Sequence, residues 1–138
     1  QLPPWWELNL ERLEGFLEAL PPRHHYAFEL RNPTWHTDAV YRLLHRHNAA
    51  FCIFEIAGFQ SGFEITANFT YIRLHGPDGA YAGSYPDATL RTWARRIRDW
   101  QHDLRAVYVY FDNDQAAYAA QNARQLKELL GRDAGHGA

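Results

Sequence analysis

The hydrophobic pattern alternates between two periods. In "NLERLEGFLEAL" (9–20), Leu10, Leu13, Phe16, Leu17 and Leu20 fall on one helical face, and "PPR" ends the run. "HHYAFEL" (24–30) is short, aromatic and bounded by Pro22 and "RNPTW", which predicts a strand. Thr37 suits the cap of a helix carrying Val40, Leu43 and Leu44 and ending near Asn48. "AFCIFEI" (50–56) is almost wholly apolar, as expected of a strand covered on both faces. "NFTYIRL" (68–74) predicts a third strand. Asp87 is then expected to cap a helix with Leu90, Trp93, Ala94, Ile97 and Trp100 on one face. "AVYVYF" (106–111) predicts a fourth strand. Asn113 or Asp114 would cap a last helix bearing Ala116, Ala120, Ala123, Leu126 and Leu130.

Strands that alternate with amphipathic helices imply the α/β class, with parallel pairing through right-handed crossovers. The weak connection is "AGFQSGFEITA" (57–67), too short and glycine-broken for a full helix but able to hold a helical turn in a crossover. In such sheets, sites lie beyond the carboxyl ends of the strands. Here those ends read "FELRNPTW", "FEIAG", "RLHGPDG" and "YFDND". Side chains alternate across a strand, so Glu29 and Arg31 oppose Phe28 and Leu30. Likewise Tyr71, Arg73 and His75 oppose Ile72 and Leu74, and Tyr108, Tyr110 and Asp112 oppose Val107, Val109 and Phe111. Glu55 runs in phase with Phe51 and Ile53, so its direction is less defined. In a closed barrel these polar sets would converge on one mouth. Four strands cannot close such a barrel, whereas eight can. The chain is therefore expected either to leave two raw strand edges or to pair with another half.

Composition narrows the setting. A chain of 138 residues with 46% hydrophobic residues can bury one domain's core. The domain is expected over 1–131, with residues 132–138, glycine-rich and polar, as a flexible tail. A net charge of -2 gives no basic nucleic-acid footprint, so nucleic acid stays open as a partner but is not favoured. The single Cys52 cannot form an internal disulfide, which suits a reducing cytoplasmic setting, and its apolar surroundings favour a small buried hydrophobe over a nucleophile. No run has transmembrane length or a signal-peptide pattern, so no membrane partner is expected. The chain has no methionine and starts with glutamine, which leads to the expectation of a processed chain or a piece of a longer one.

Charge at the strand ends carries the candidate chemistry. Arg31 and Arg73 suit an anion clamp, because a planar guanidinium meets phosphate or carboxylate with two hydrogen bonds. Glu29 would orient an arginine or act as a general base if desolvated, and His75 would move protons near neutral pH. Gly76, Gly79 and Gly83 would let backbone N–H groups approach an anion. A Glu29–Arg31 ion pair that only fills the interior explains those two residues equally well. Glu29, Glu55, His75 and Asp112 are chemically competent divalent-metal ligands, although no local zinc or calcium spacing is present. "HH" (24–25) and "HRH" (45–47) lie away from the mouth and read as surface histidines. Trp5 and Trp6 read as packing against the following helix.

The stretches "LPP", "HHYAFELRNPTW", "ITANFTYIRLHG", the Y-x-G-S-Y run from Tyr81 to Tyr85, and "VYVYFDND" with Asn122 and Ala123 resemble the YecE-like family, domain of unknown function 72. The resemblance covers nearly all the chain before the tail. It implies an α/β fold of parallel β/α units forming the C-terminal half of a TIM-like barrel. By resemblance, Glu29, Arg31, Pro33 and Trp35 match an E-x-R-x-P-x-W pattern, Arg73, His75 and Gly76 match R-x-H-G, and Asn113 follows the aromatic strand. Glu55 stands where aspartate is more usual and Asp112 where asparagine is more usual. The resulting expectation assigns Glu29 and His75 to catalysis and Arg31, Arg73, Gly76, Tyr85 and Asn113 to substrate binding. The leading reading is an enzyme with hydrolase-type chemistry on a small anionic ligand. A metal-dependent nucleic-acid phosphodiesterase and a non-catalytic ligand-binding barrel are the alternatives. Further partners would be a missing N-terminal barrel half or a second copy at the open strand edges.

Overall fold

Asn9 starts the first helix because its side-chain oxygen accepts the Arg12 N–H at 2.9 Å, satisfying an otherwise orphaned donor. The structure, a computed structural model, describes residues 1–132. Its helices are α1 (Leu10–Ala19), α2 (Asp38–Arg46), α3 (Asp87–Asp103) and α4 (Tyr118–Arg132). Its strands are β1 (Ala27–Phe28), β2 (Ala50–Ile56), β3 (Phe59–Gln60), β4 (Phe69–Leu74) and β5 (Ala106–Phe111). The strand order is β1-β2-β4-β5, with β1 parallel to β2 and β3 attached to β2 as an antiparallel hairpin. The α/β class with a parallel sheet is what the alternating pattern called for. Among the described residues no helix is long and apolar enough to cross a membrane.

The chain divides into two units, and β2 and β4 contribute residues to both. The first, Gln1–Ile53 with Gly62–Tyr71, packs α1 and α2 together. Leu13 and Leu17 of α1 are buried, as are Val40, Leu43 and Leu44 of α2 and Phe51, Cys52 and Ile53 of β2. Thr37 caps α2 as expected, accepting from Val40 N–H. Thr66 carries an unusual share of the backbone pairing: its hydroxyl accepts from Phe51 N–H at 2.7 Å and donates to Ala49 O at 2.7 Å. In the second unit, Phe54–Ser61 with the chain from Ile72 onward, α3 and α4 pack on each other and on β5. Leu90, Trp93, Ala94 and Ile97 form the buried face of α3, and Trp100, expected on the same face, is half-buried.

Several local expectations are corrected. The segment after β2 holds no crossover turn. Ala57 and Gly58 take φ of 50° and 80°, which reverses the chain tightly enough for Phe59 and Gln60 to pair back on Ile56 and Glu55. β1 is shorter than 24–30, because the chain beyond it pairs with the N-terminal segment instead: Leu2 N–H donates to Glu29 O at 3.0 Å and Leu2 bridges Leu30. Asp87 is the first residue of α3 and not its cap. Pro86 occupies the cap in extended conformation, with no capping side chain. Neither Asn113 nor Asp114 caps α4, which begins after a 3-10 turn at Gln115–Ala117 with positive φ at Ala116 and Ala117. That kink resets the helical phase, so Asn122 and Leu126 are buried while Ala116, Ala120 and Ala123 are exposed. Arg132, the first residue of the tail expected at 132–138, closes α4, and residues 133–138 lie outside the described residues.

Trp5 and Trp6 do not bury against α1. Trp5 is 76% exposed. Both instead line a groove of about 550 Å³ with Leu13 and Phe16 of α1 and with Phe28 and Trp35. Replacing Thr66 by valine keeps the side-chain shape but leaves Phe51 N–H and Ala49 C=O without their partner. The loss should be about 1–3 kcal/mol, read as a lower urea midpoint with an unchanged slope.

Candidate functional site

The first unit holds Glu29, Arg31 and Cys52. Glu29 is buried behind β1, and Arg31 Nε donates to its Oε1 at 2.6 Å. The two residues on opposite sides of Leu30 therefore do share a face, as alternation requires. Cys52 Sγ lies 3.8 Å from Glu29 Oε2, so the thiol is one of the polar contacts of this carboxylate and is itself buried. Asn32 donates to Pro4 O at 2.7 Å and accepts from Thr34 N–H, which fixes the turn in which the guanidinium chain starts.

The second unit gathers most of the remaining candidates. Arg73, at the end of β4, donates from Nε at 2.9 Å and from Nη2 at 2.8 Å to Asp112 Oδ2, just beyond β5. His75 Nδ1 lies 3.4 Å from the same oxygen. His75 is wholly buried, whereas Arg73 and Asp112 stay 25% and 27% exposed. Glu55 reaches the group through the ladder, its carbonyl accepting His75 N–H at 2.8 Å. Partial burial raises the Glu55 carboxyl above the ordinary carboxylate range.

A loop at residues 75–85 covers these groups. Gly76 has φ of 121°, and a Cβ there would stand 2.7 Å from Ala82 N and 2.8 Å from Gly79 O, so only glycine fits. Its N–H donates to the Tyr85 hydroxyl at 2.9 Å. Burial chiefly holds the Tyr85 phenol far above its ordinary range, the Gly76 bond works against this, and the Glu55 and Asp112 carboxylates add to it. This phenol therefore stays protonated beside two carboxylates. Asn113 is fully buried, and its Nδ2 donates to Gly83 O at 2.8 Å and Asn122 Oδ1 at 2.9 Å. Asn122 Oδ1 also accepts Tyr85 N–H at 3.0 Å, and Gln115 accepts Gly83 N–H at 3.2 Å. Gln115 and Asn122 lie outside the expected site residues, although Asn122 is among the positions that carry the family resemblance. A buried asparagine inside a helix, where it is a poor helix former, is the one local sign that Asn122 has another task.

Of the expected residues, Glu29 and Arg31 meet in the first unit. Arg73, His75, Gly76, Tyr85, Asn113, Glu55 and Asp112 come together in the second. Among the described residues, no group of three or more His, Cys, Asp or Glu side chains could hold a metal ion. His24, His25, His45 and His47 are exposed, with His25 stacked on Phe69 at 5.0 Å.

A family model described as "Protein of unknown function DUF72" matches residues 1–137. The chain belongs to the DUF72 family. The UPF0759 protein YunF of Bacillus subtilis (strain 168) is 31% identical over 78 residues, which cover 46% of this chain and 28% of that protein. A solved DUF72 family protein of Thermotoga maritima MSB8 superposes with a TM-score of 0.85 at 24% identity, covering 94% of this chain and 55% of that one. One from Enterococcus faecalis V583 gives 0.77 at 18% identity, covering 94% and 56%. At these identities the likeness is one of fold. The chain spans just over half the length of these DUF72 structures, and the family resemblance carried by the motifs holds. The parallel β/α arrangement is compatible with half of a TIM-like barrel.

The raised Glu55 carboxyl sets a pH test. The folded state retains this proton after the unfolded chain has lost it, so stability is full below the ordinary carboxylate range and declines as pH rises through the raised value. Glu55→Gln removes that decline. The Tm gain over the parent should be larger at about pH 7 than at about pH 4.

Proposed function

We propose that this DUF72 chain is an enzyme that binds a small anion at the Arg73 end of β4 and performs hydrolase-type chemistry on it in the cytoplasm. The observation that carries the reading is the second-unit cluster of Arg73, His75, Asp112, Glu55 and Tyr85 at the carboxyl ends of β2, β4 and β5 and in the loop after β4. A guanidinium that is partly exposed, backed by groups that are partly or wholly buried, supports anion binding from solvent. Arg73 is the anion contact in this proposal. His75 and Glu55 are the acid–base pair, because one is an imidazole and the other a carboxyl held above its usual range. Gly76, Tyr85 and Asn113 shape the loop over the ligand, and the Tyr85 phenol, whose oxygen accepts the Gly76 N–H, keeps its own proton. Glu29 and Arg31, hydrogen-bonded to each other, are proposed by themselves as an acid–base group and an anion contact of the first unit.

Asp112 sets the terms of that binding. Its carboxylate occupies Arg73 on two nitrogens, so an incoming anion shares the guanidinium with a fixed negative charge. The same pairing favours a second reading, a non-catalytic barrel in which Arg73 and Asp112 are a closed structural pair. The metal-dependent phosphodiesterase draws no support from the net charge of -2.

Thermal unfolding in the presence of inorganic phosphate or acetate separates these readings. The parent should be stabilised by an amount that grows with the logarithm of ligand concentration above Kd. Arg73→Ala should abolish the shift, and Asp112→Asn, which removes the competing charge, should strengthen it. An unchanged response in Arg73→Ala rejects the anion contact. No response in any of the three proteins leaves the structural pair as the reading.

A further inference from the structure

Tyr81 sits at the tip of the loop that covers His75, and its backbone has φ of 65°. That left-handed conformation suits glycine or asparagine and is strained for a bulky aromatic residue. Turn chemistry therefore does not explain the tyrosine, since a smaller residue would form the same turn with less strain.

The strain is held in place by many bonds. Tyr81 N–H donates to His75 O at 2.6 Å, and Ala82 N–H donates to Gly79 O at 3.2 Å. Gly76 is wedged against Ala82 at the start of the loop, and Tyr85 is fixed to Gly76 and Asn122 at its end. Between them, Gly83 is held by Asn113 and Gln115. A loop fastened at both ends and in the middle presents its tip residue in one orientation.

That residue is only partly taken up by packing. The Tyr81 ring meets the His75 ring edge-on, with centroids 5.4 Å apart, yet Tyr81 remains 46% exposed. His75 in turn lies beside Asp112, which holds Arg73. An exposed aromatic ring thus stands three contacts from the guanidinium, against a buried imidazole.

From this geometry we infer that the ligand is an anion carried on a flat ring, its charged group at Arg73 and its ring against Tyr81. The inference rests on the anion reading of Arg73 given above and adds the class of body to which the anion is attached. Aromatic faces favour flat, apolar partners through offset or edge-on stacking, and a rigid tyrosine loses little conformational freedom in doing so. The chemistry favours an aryl phosphate or an aromatic carboxylate over a small aliphatic anion.

The test compares inorganic phosphate with phenyl phosphate, and acetate with benzoate, by titration calorimetry or by chemical-shift titration. The parent should bind each aryl probe at least about fivefold more tightly than its ring-free counterpart, the scale expected of one aromatic contact. Tyr81→Phe should keep that preference. Tyr81→Asn should lose it while leaving the affinity for inorganic phosphate unchanged. Asparagine tolerates the left-handed backbone, so this variant should be at least as thermostable as the parent, which separates lost recognition from lost folding. Arg73→Ala should lose all four probes. Equal affinity of the parent for aryl and ring-free probes overturns the ring contact while leaving the anion site standing. Preference that survives in Tyr81→Asn overturns it as well. Failure of the parent to bind any probe overturns the anion reading and this inference with it.

Discussion

One carboxylate oxygen, Asp112 Oδ2, joins β4 to the end of β5 and sets the electrostatics around it. It takes two hydrogen bonds from Arg73 and lies beside the buried ring of His75. Removing charge from water is unfavourable unless the charge is paired, and here one anion neutralises the guanidinium that would otherwise face a low-dielectric interior. The arrangement depends on strand alternation. Arg73 and His75 project from the same side of β4 because Leu74 between them is buried on the other.

Around this pair, the second unit keeps its ionisable groups in unlike surroundings. Burial raises the Glu55 carboxyl above its ordinary value, Arg73 and Asp112 remain partly in water, and the Tyr85 phenol is sealed. Groups that respond differently to pH within one small volume can divide donor and acceptor tasks, which a uniform ion-pair network cannot. The loop at 75–85 supports that diversity, since it closes over His75 and Tyr85 yet leaves Tyr81 in solvent.

How much of this was legible in the sequence depends on the length scale of each determinant. β2 was read to the residue because a doubly covered strand is a continuous apolar run. The alternation of Arg73, His75 and Asp112 against Ile72, Leu74 and Phe111 placed their polar faces without knowledge of the turns. The β3 hairpin escaped because it has two residues and depends on positive φ at Ala57, where alanine gives no turn signal. The phase of α4 escaped for a related reason: two alanines in left-handed conformation shift its start, and Asn122 becomes its buried face. The family resemblance points to Asn113 after the aromatic strand, but its bonds to Gly83 and Asn122 join residues far apart in sequence, which no local pattern records.

Gly76 carries a consequence for how this chain can change over generations. Its neighbours leave no room for a single additional carbon, and relief would require the Ala82 backbone to move, not merely a side chain. Neutral drift can replace the exposed loop positions Asp78 and Ala80 one at a time, but at position 76 any codon change that alters the amino acid must be accompanied by rebuilding of the whole turn. A change at Gly76 is thus coupled to the backbone of the turn around it, whereas Asp78 and Ala80 face solvent.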